Sequence, residues 1–328
     1  MKRRQLICAL ASTLSLRVIS AAAQQPEKPR HVGLLMGSTP EVEAPRLVAF
    51  RDTLANLGYR GGTQIIIDVR YGEGSRDRIA SLARELVATD PAVIACVSAE
   101  APALQAATRD IPIVFMNAFY DPVAQGLVAS LARPGGNITG FSQMSPELDA
   151  KRLELLHEIV PALQHVVFLL DPLVPGITER FAAAEAAAKR LDIELRRIEA
   201  RNPDELTAAL AKLPGSPGEA IFVPEHPMLQ GSELPRILEF AHAHRLPATA
   251  GGLLTVRKGG LFAYTGDMIE NARLAAGYVA RILKGAKPAD LPVQQSTKFL
   301  LIINLKTAKE LGLTVPPSVI ARADEIIE

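Results

Sequence analysis

Cysteine is almost absent from this 328-residue chain: there are two, Cys8 and Cys96. Charge of one sign is missing as well, since 36 Lys and Arg face 35 Asp and Glu and no run of five like charges occurs. Without a bulk basic field there is nothing to grip a phosphate backbone, so a nucleic-acid partner is excluded. No Gly-x-Gly-x-x-Gly follows a strand, because Gly72-Glu73-Gly74 lacks the third glycine, and no Gly-Lys-Ser/Thr of the phosphate-loop kind exists. A Gly-x-Ser-x-Gly elbow is also missing. The six histidines show no zinc spacing, and His242 and His244 would point about 200° apart on a helix. No metal and no cofactor is therefore expected.

The N-terminus carries a basic start, Met1-Lys2-Arg3-Arg4, an apolar run from Leu6 to Ser20 interrupted by Arg17, and then Ala21-Ala22-Ala23. This is the pattern of a secretory leader cleaved after Ala23. Cleavage removes four basic residues and no acid, leaving 32 against 35, a net charge near −3. It also removes Cys8, so the processed chain has Cys96 alone and no intramolecular disulfide. Cys8 lacks the small residues of a lipoprotein cleavage site, so no lipid anchor is read. Beyond the leader no apolar run approaches the roughly 20 residues needed to span a bilayer.

What the chain does have is alternation. Short β-type runs (His31 to Met36, Gln64 to Arg70, Ala92 to Val97, Ile111 to Phe115) alternate with helical periodicities such as Leu47, Phe50, Leu54 and Leu57. After Arg133-Pro134-Gly135-Gly136 a second series begins, with strands at Asn137 to Phe141, His165 to Leu170, Ile193 to Ile198, Ala220 to Val223 and Leu261 to Tyr264. Its helices are read at Pro146 to Val160, Ile177 to Leu191, Asp204 to Leu213, Leu234 to His244 and Met268 to Leu283. The expectation is an α/β protein of two doubly wound open-sheet lobes with a ligand cleft between them. The first lobe takes residues 24–141, the second 142–265, and the two share 266–328. Flexing between them is expected near Phe141 to Ser145, Ala250 to Gly252 and Leu291 to Gln295.

Ligands in such sheets bind beyond the carboxyl ends of the strands. The polar and small residues there are the site candidates: Ser38, Thr39, Ser98, Ala99, Asn117 and Asp121 in the first half, and Asp171, Glu225 and Gly251 in the second. Asp121 is read as a partner for a cationic group. Taken singly, each also suits a turn or a helix cap.

Longer motifs carry a resemblance. Ile111-Pro112-Ile113-Val114-Phe115, Asp121-Pro122-Val123, the stretch from Gly126 to Gly140, and Lys151-Arg152-Leu153-Glu154-Leu155-Leu156 resemble the ABC transporter substrate-binding proteins of the tryptophan/tyrosine-binding type. So do Leu283 to Val293, Thr297-Lys298-Phe299, Ile303 to Lys309 and Pro316-Pro317-Ser318. The resemblance implies a type I periplasmic binding protein, a monomer that captures a small molecule by hinge closure and passes it to an inner-membrane permease. A ligand-sensing subunit for a membrane receptor and an exported α/β enzyme stand as alternatives. At the cleft the chain departs from the family: Val97-Ser98 replaces the usual Gly-Thr, Asp171-Pro172 replaces Asn-Pro, and Phe119-Tyr120 precedes Asp121.

The leader generates the first prediction. Intact mass of exported protein should place its first residue at or near Gln24; exported material that retains residues 1–23 would contradict cleavage.

Overall fold

A computed structural model describes residues 28–328 except Ser98 and Met144. The proposed leader, residues 1–23, therefore lies outside the described residues. In chain order the elements are β1 (Arg30–Met36), α1 (Pro40–Asn56), β2 (Ile65–Tyr71), α2 (Arg76–Ala88), β3 (Val93–Cys96), α3 (Ala101–Ala107), β4 (Ile113–Ala118), β5 (Ile138–Ser142) and α4 (Ser145–Ile159). There follow β6 (His165–Leu170), α5 (Ile177–Arg190), β7 (Glu194–Glu199), α6 (Pro203–Leu210), β8 (Glu219–Val223), α7 (Leu234–Ala243), β9 (Ala248–Ala250) and α8 (Leu253–Arg257). The chain closes with β10 (Phe262–Gly266), α9 (Met268–Leu283), β11 (Gln294–Gln295), β12 (Phe299–Asn304), α10 (Leu305–Leu311), α11 (Pro317–Ile320) and β13 (Glu325–Ile327).

The strands form two sheets, ordered β11-β5-β4-β3-β1-β2 and β13-β12-β10-β9-β8-β6-β7. All pairings are parallel except β10 with β12. A parallel sheet buried on both faces needs near-continuous apolar strands, and Val-Ile-Ala-Cys in β3 and the Val-Val-Phe-Leu-Leu of β6 supply them. In the first lobe Leu34, Phe50, Val114 and Val279 pack on one face. Leu35, Leu86, Ile94 and Phe115 pack on the other. The second lobe repeats the scheme, with Phe168, Ala184 and Phe222 on one side of its sheet and Val167, Leu206 and Ile237 on the other.

Among the described residues the chain passes between the sheets three times, at Gln143 after β5, at Asp267 after β10, and at Ser296–Lys298 after β11. The second and third expected hinges need correction. Ala250 to Gly252 joins β9 to α8 inside the second lobe, and Gln294 and Gln295 are still paired with β5. The glycine pair at 251–252 suggested a hinge, but it serves close packing there. Helix α9, read from sequence with the second series, packs on α1 and β4 of the first lobe through Ala272, Ala276 and Val279.

Both sheets reverse their winding between the first strand of the lobe and the third, so β1 and β3 flank one switch point and β6 and β8 the other. A crevice opens where successive crossovers leave in opposite directions, and its walls are the residues that follow those strands. Gly140 shows how tightly the first sheet is built. Its φ is 153°, and a Cβ there would sit 2.0 Å from the Phe115 carbonyl oxygen. Gly136, four residues earlier, has open space around it.

Gly140→Ala should therefore lower unfolding stability by about 2–4 kcal/mol, while Gly136→Ala stays within about 1 kcal/mol of the parent. Urea denaturation checks both; equal midpoints for the two variants would contradict the packing described.

Candidate functional site

A cavity of about 270 Å³ lies between the lobes. From the first lobe come Ser38 after β1, Val42 and Arg46 of α1, Val97 and Ala99 after β3, Phe119 and Tyr120 after β4, and Met268 and Ile269 of α9. The second lobe contributes Val174, Glu225, His226, Gln230, Leu253 and Leu254. The lining is mainly apolar with a few polar groups, the usual make-up of a small-molecule pocket. A second, wider cavity of about 670 Å³ adjoins it through Ala99, Val174, His226 and Pro227, and Arg76 and Asp171 line its two sides.

The lobes touch at the rim. The Arg76 guanidinium of α2 meets Asp171 Oδ2 across the gap at 2.7 Å. A Cβ on Gly74 would come within 3.0 Å of Met228 Cα, and one on Gly176 within 2.8 Å of Tyr120 Cβ. These are contacts of a closed cleft. Asp171 also accepts from the Leu173 N–H at 2.9 Å and faces His226 Nε2 at 3.5 Å. Burial pushes its carboxyl up, but the His226 and Leu173 hydrogen bonds and the Arg76 charge outweigh burial and hold it below its ordinary value.

Behind Glu225 lies a buried group of four charges. Asp149 and Arg152 stand three residues apart on α4, Arg180 comes from α5, and Glu225 follows β8. Arg152 Nη1 donates to Asp149 Oδ1 at 2.7 Å and to Glu225 Oε2 at 3.2 Å, its Nη2 donates to Glu225 Oε1, and its Nε donates to the Tyr264 carbonyl at 2.7 Å. Arg180 grips Asp149 through Nε (2.8 Å) and Nη2 (2.9 Å), and Nη2 also reaches Glu225 at 2.7 Å. Two cations balance two anions, and all four side chains are at most 3% exposed. Burial alone would raise the Glu225 carboxyl, yet the Arg152 and Arg180 charges and the Arg152 hydrogen bond bring its pKa down to about 2. Burial opposes the charge on Arg180, and Asp149 and Glu225 overcome it and raise its pKa. The Arg152 guanidinium also lies 5.9 Å from the centre of the Phe222 ring.

An amide chain runs from this group to the crossovers. Gln143 Nε2 makes a long 3.5 Å contact to Glu225 Oε1, and Asn117 Nδ2 donates to Gln143 Oε1 at 3.2 Å. Asn271 Nδ2 donates to Asn117 Oδ1 at 2.9 Å and to Ser296 Oγ at 2.8 Å. Gln143 and Ser296 sit in two of the crossovers, and Asn271 lies one turn into α9, the helix that follows the crossover at Asp267.

The residues named from sequence are spread across this geometry. Ser38, Ala99 and Glu225 line the inner cavity, and Ala99 and Asp171 the outer one. Ser98 lies outside the described residues. Asn117 is buried in the amide chain, and Thr39 is the residue preceding α1. Gly251 presses on the charge group, where a Cβ would meet Glu225 Oε1 at 1.9 Å and Arg152 Nη2 at 2.7 Å. Asp121 needs correction: it is exposed, lines neither cavity, and its Oδ1 accepts from the Val123 N–H at 2.8 Å, the local turn bond of an Asx residue.

Sequence reasoning missed Arg46, Gln143 and the partners of Glu225. One signal was there to be read: Asp149 and Arg152 fall on the apolar stripe of α4 between Leu148 and Leu153, where a solvated charge has no place. Cys96 is buried and its thiol is pushed well up by burial and by Glu100, which suits an inert core residue.

A family model for ABC transporter substrate binding proteins matches residues 44–327. A tyrosine-binding protein of Clostridioides difficile is 29% identical over 284 residues, which is 85% of this chain and 81% of that protein. A solved domain from Streptococcus pneumonia in complex with L-Trp superposes with a TM-score of 0.84 at 26% identity, covering 91% of this chain and 100% of its own. A conserved domain protein of Vibrio cholerae gives the same TM-score at 27% identity and the same coverage.

The depressed Glu225 pKa fixes a pH dependence. A folded-state value below the ordinary 4.5 means that its contribution is complete above about pH 4.5 and disappears as pH falls toward 2. Glu225→Gln should lose about 3–5 kcal/mol at pH 7 by leaving two buried guanidinium groups under-compensated, and should show a shallower acid limb than the parent. Chemical denaturation between pH 2 and 8 measures it; parallel acid limbs in the two proteins would contradict the assignment.

Proposed function

Because the chain belongs to the ABC transporter substrate binding protein family, a family of solute-binding proteins rather than enzymes, we propose that it is the periplasmic capture component of an importer and that its solute is an aromatic amino acid. The observation that carries this reading is the inner cavity between the lobes, small and mainly apolar, with Phe119 and Tyr120 in its apolar lining and Arg46 and several carboxylates among its few charged groups. An aromatic side chain fits against the apolar lining, and burying it supplies the driving force. The polar ends of a zwitterion meet Arg46 and the carboxylates of the lining. Relatives support the choice of solute, one of them being a tyrosine-binding protein and another a domain solved with L-Trp. The family's role and the leader pattern at residues 1–23 support delivery to a membrane permease and residence in the periplasm. Among the described residues no helix is long and apolar enough to cross a membrane.

Titration calorimetry of the protein against L-tryptophan, L-tyrosine, glucose and ribose tests the solute class. Saturable binding of at least one aromatic amino acid, with no heat from the sugars, is the expected result. Binding of a sugar and of neither amino acid would overturn it.

A further inference from the structure

Four arginines stand in or behind the inner cavity, and three are already occupied. Arg152 donates from all three of its nitrogens to Asp149, Glu225 and Tyr264 O. Arg180 has its Nε/Nη2 edge on Asp149. Arg257 is 59% exposed at the mouth and faces Glu325 at 3.5 Å. Arg46 differs from these. Its side chain is 12% exposed and its Nη1 is tied to Glu43, one turn back on α1. Among the described residues its Nη2 has only the Met268 thioether at 3.2 Å, a weak acceptor, and its Nε has no partner.

Nε and Nη2 form one edge of the planar guanidinium fork, the edge that accepts both oxygens of a carboxylate. The same edge of Arg180 shows the arrangement filled, with Asp149 oxygens at 2.8 and 2.9 Å. In Arg46 the edge meets no oxygen, and a buried charged donor without an acceptor is unfavourable. Arg46 and Met268 both line the cavity. Methionine is flexible and adapts its shape easily, so Met268 can yield its place to a stronger acceptor. A second unsatisfied group stands on the same lobe, the Ser38 hydroxyl, which is 5% exposed, lines the cavity and has no hydrogen-bond partner among the described residues.

We propose that Arg46 is the residue that recognises the solute's carboxylate, taking both oxygens on its Nε/Nη2 edge in place of Met268, so that the cleft selects amino acids over the corresponding amines. Glu43 holds the far side of the guanidinium and fixes the plane of the fork. Glu41 and Glu100 line the same cavity and add negative charge that suits the ammonium end of a zwitterion. The assignment rests on the aromatic amino acid reading above.

Calorimetry with L-tryptophan and tryptamine, which differ in the carboxylate alone, separates the two claims. The parent protein should bind L-tryptophan at least tenfold more tightly than tryptamine. Arg46→Lys keeps the charge and loses the fork, and Arg46→Gln loses both; each should weaken L-tryptophan at least tenfold and shrink the preference over tryptamine, in proteins whose melting by circular dichroism stays cooperative. Folded variants that bind L-tryptophan as the parent does would overturn the role of Arg46 while leaving the solute class intact. A parent that binds neither compound nor L-tyrosine overturns the solute class, and the Arg46 assignment with it.

Discussion

The charge group of Asp149, Arg152, Arg180 and Glu225 is the interaction around which the second lobe is arranged. It joins α4, α5 and the end of β8, three elements far apart in sequence, at the point where the cleft wall forms. Removing four charges from water is costly, and mutual attraction repays the cost only when nearly every donor and acceptor is met. That requirement dictates the surroundings: a glycine at 251 because any side chain would strike Glu225, the Tyr264 carbonyl for Arg152 Nε, and the Phe222 face below the guanidinium. Removing any one partner leaves the remaining buried charges under-compensated, which costs more than the intact group contributes.

The crossovers between the lobes connect to the same place. Glu225 faces the cavity on one side and touches Gln143 on the other, and Gln143 begins the amide chain through Asn117, Asn271 and Ser296. Backbone bonds tie the crossovers together as well, from Ser296 N–H to the Ser142 carbonyl and from Asp267 N–H to the Lys298 carbonyl. Lys298 Nζ adds an ion pair to Asp267 Oδ2 at 2.8 Å. The three crossovers are therefore tied to one another by backbone hydrogen bonds and an ion pair. At the rim, the Arg76 to Asp171 pair holds the lobes together, and with Arg76 half exposed it is easily exchanged for water.

The architecture was legible in the sequence because it is written in periodicity. Buried parallel strands are short apolar runs such as His165 to Leu170, whose ends were read to the residue, and the strand-end positions of Ser38, Ala99 and Glu225 followed from the rule that ligands lie beyond the carboxyl ends. Tertiary pairing was not legible. Which sheet α9 covers depends on the crossover at Asp267, a single residue with no compositional mark. Asp121 and Arg46 illustrate the same limit for the site. An Asp-Pro-Val turn looks alike whether it caps locally or faces a ligand, and an arginine on α1 declares its free edge only once its neighbours are in place.

Small-angle scattering of the protein with and without saturating L-tryptophan, after calorimetry has verified that it binds, tests the central claim that the solute is held by closure of two lobes. The account predicts a smaller radius of gyration with ligand and a profile matching the closed structure, in which Arg76 meets Asp171 and Gly176 meets Tyr120. Superimposable profiles for the free and bound protein would contradict it.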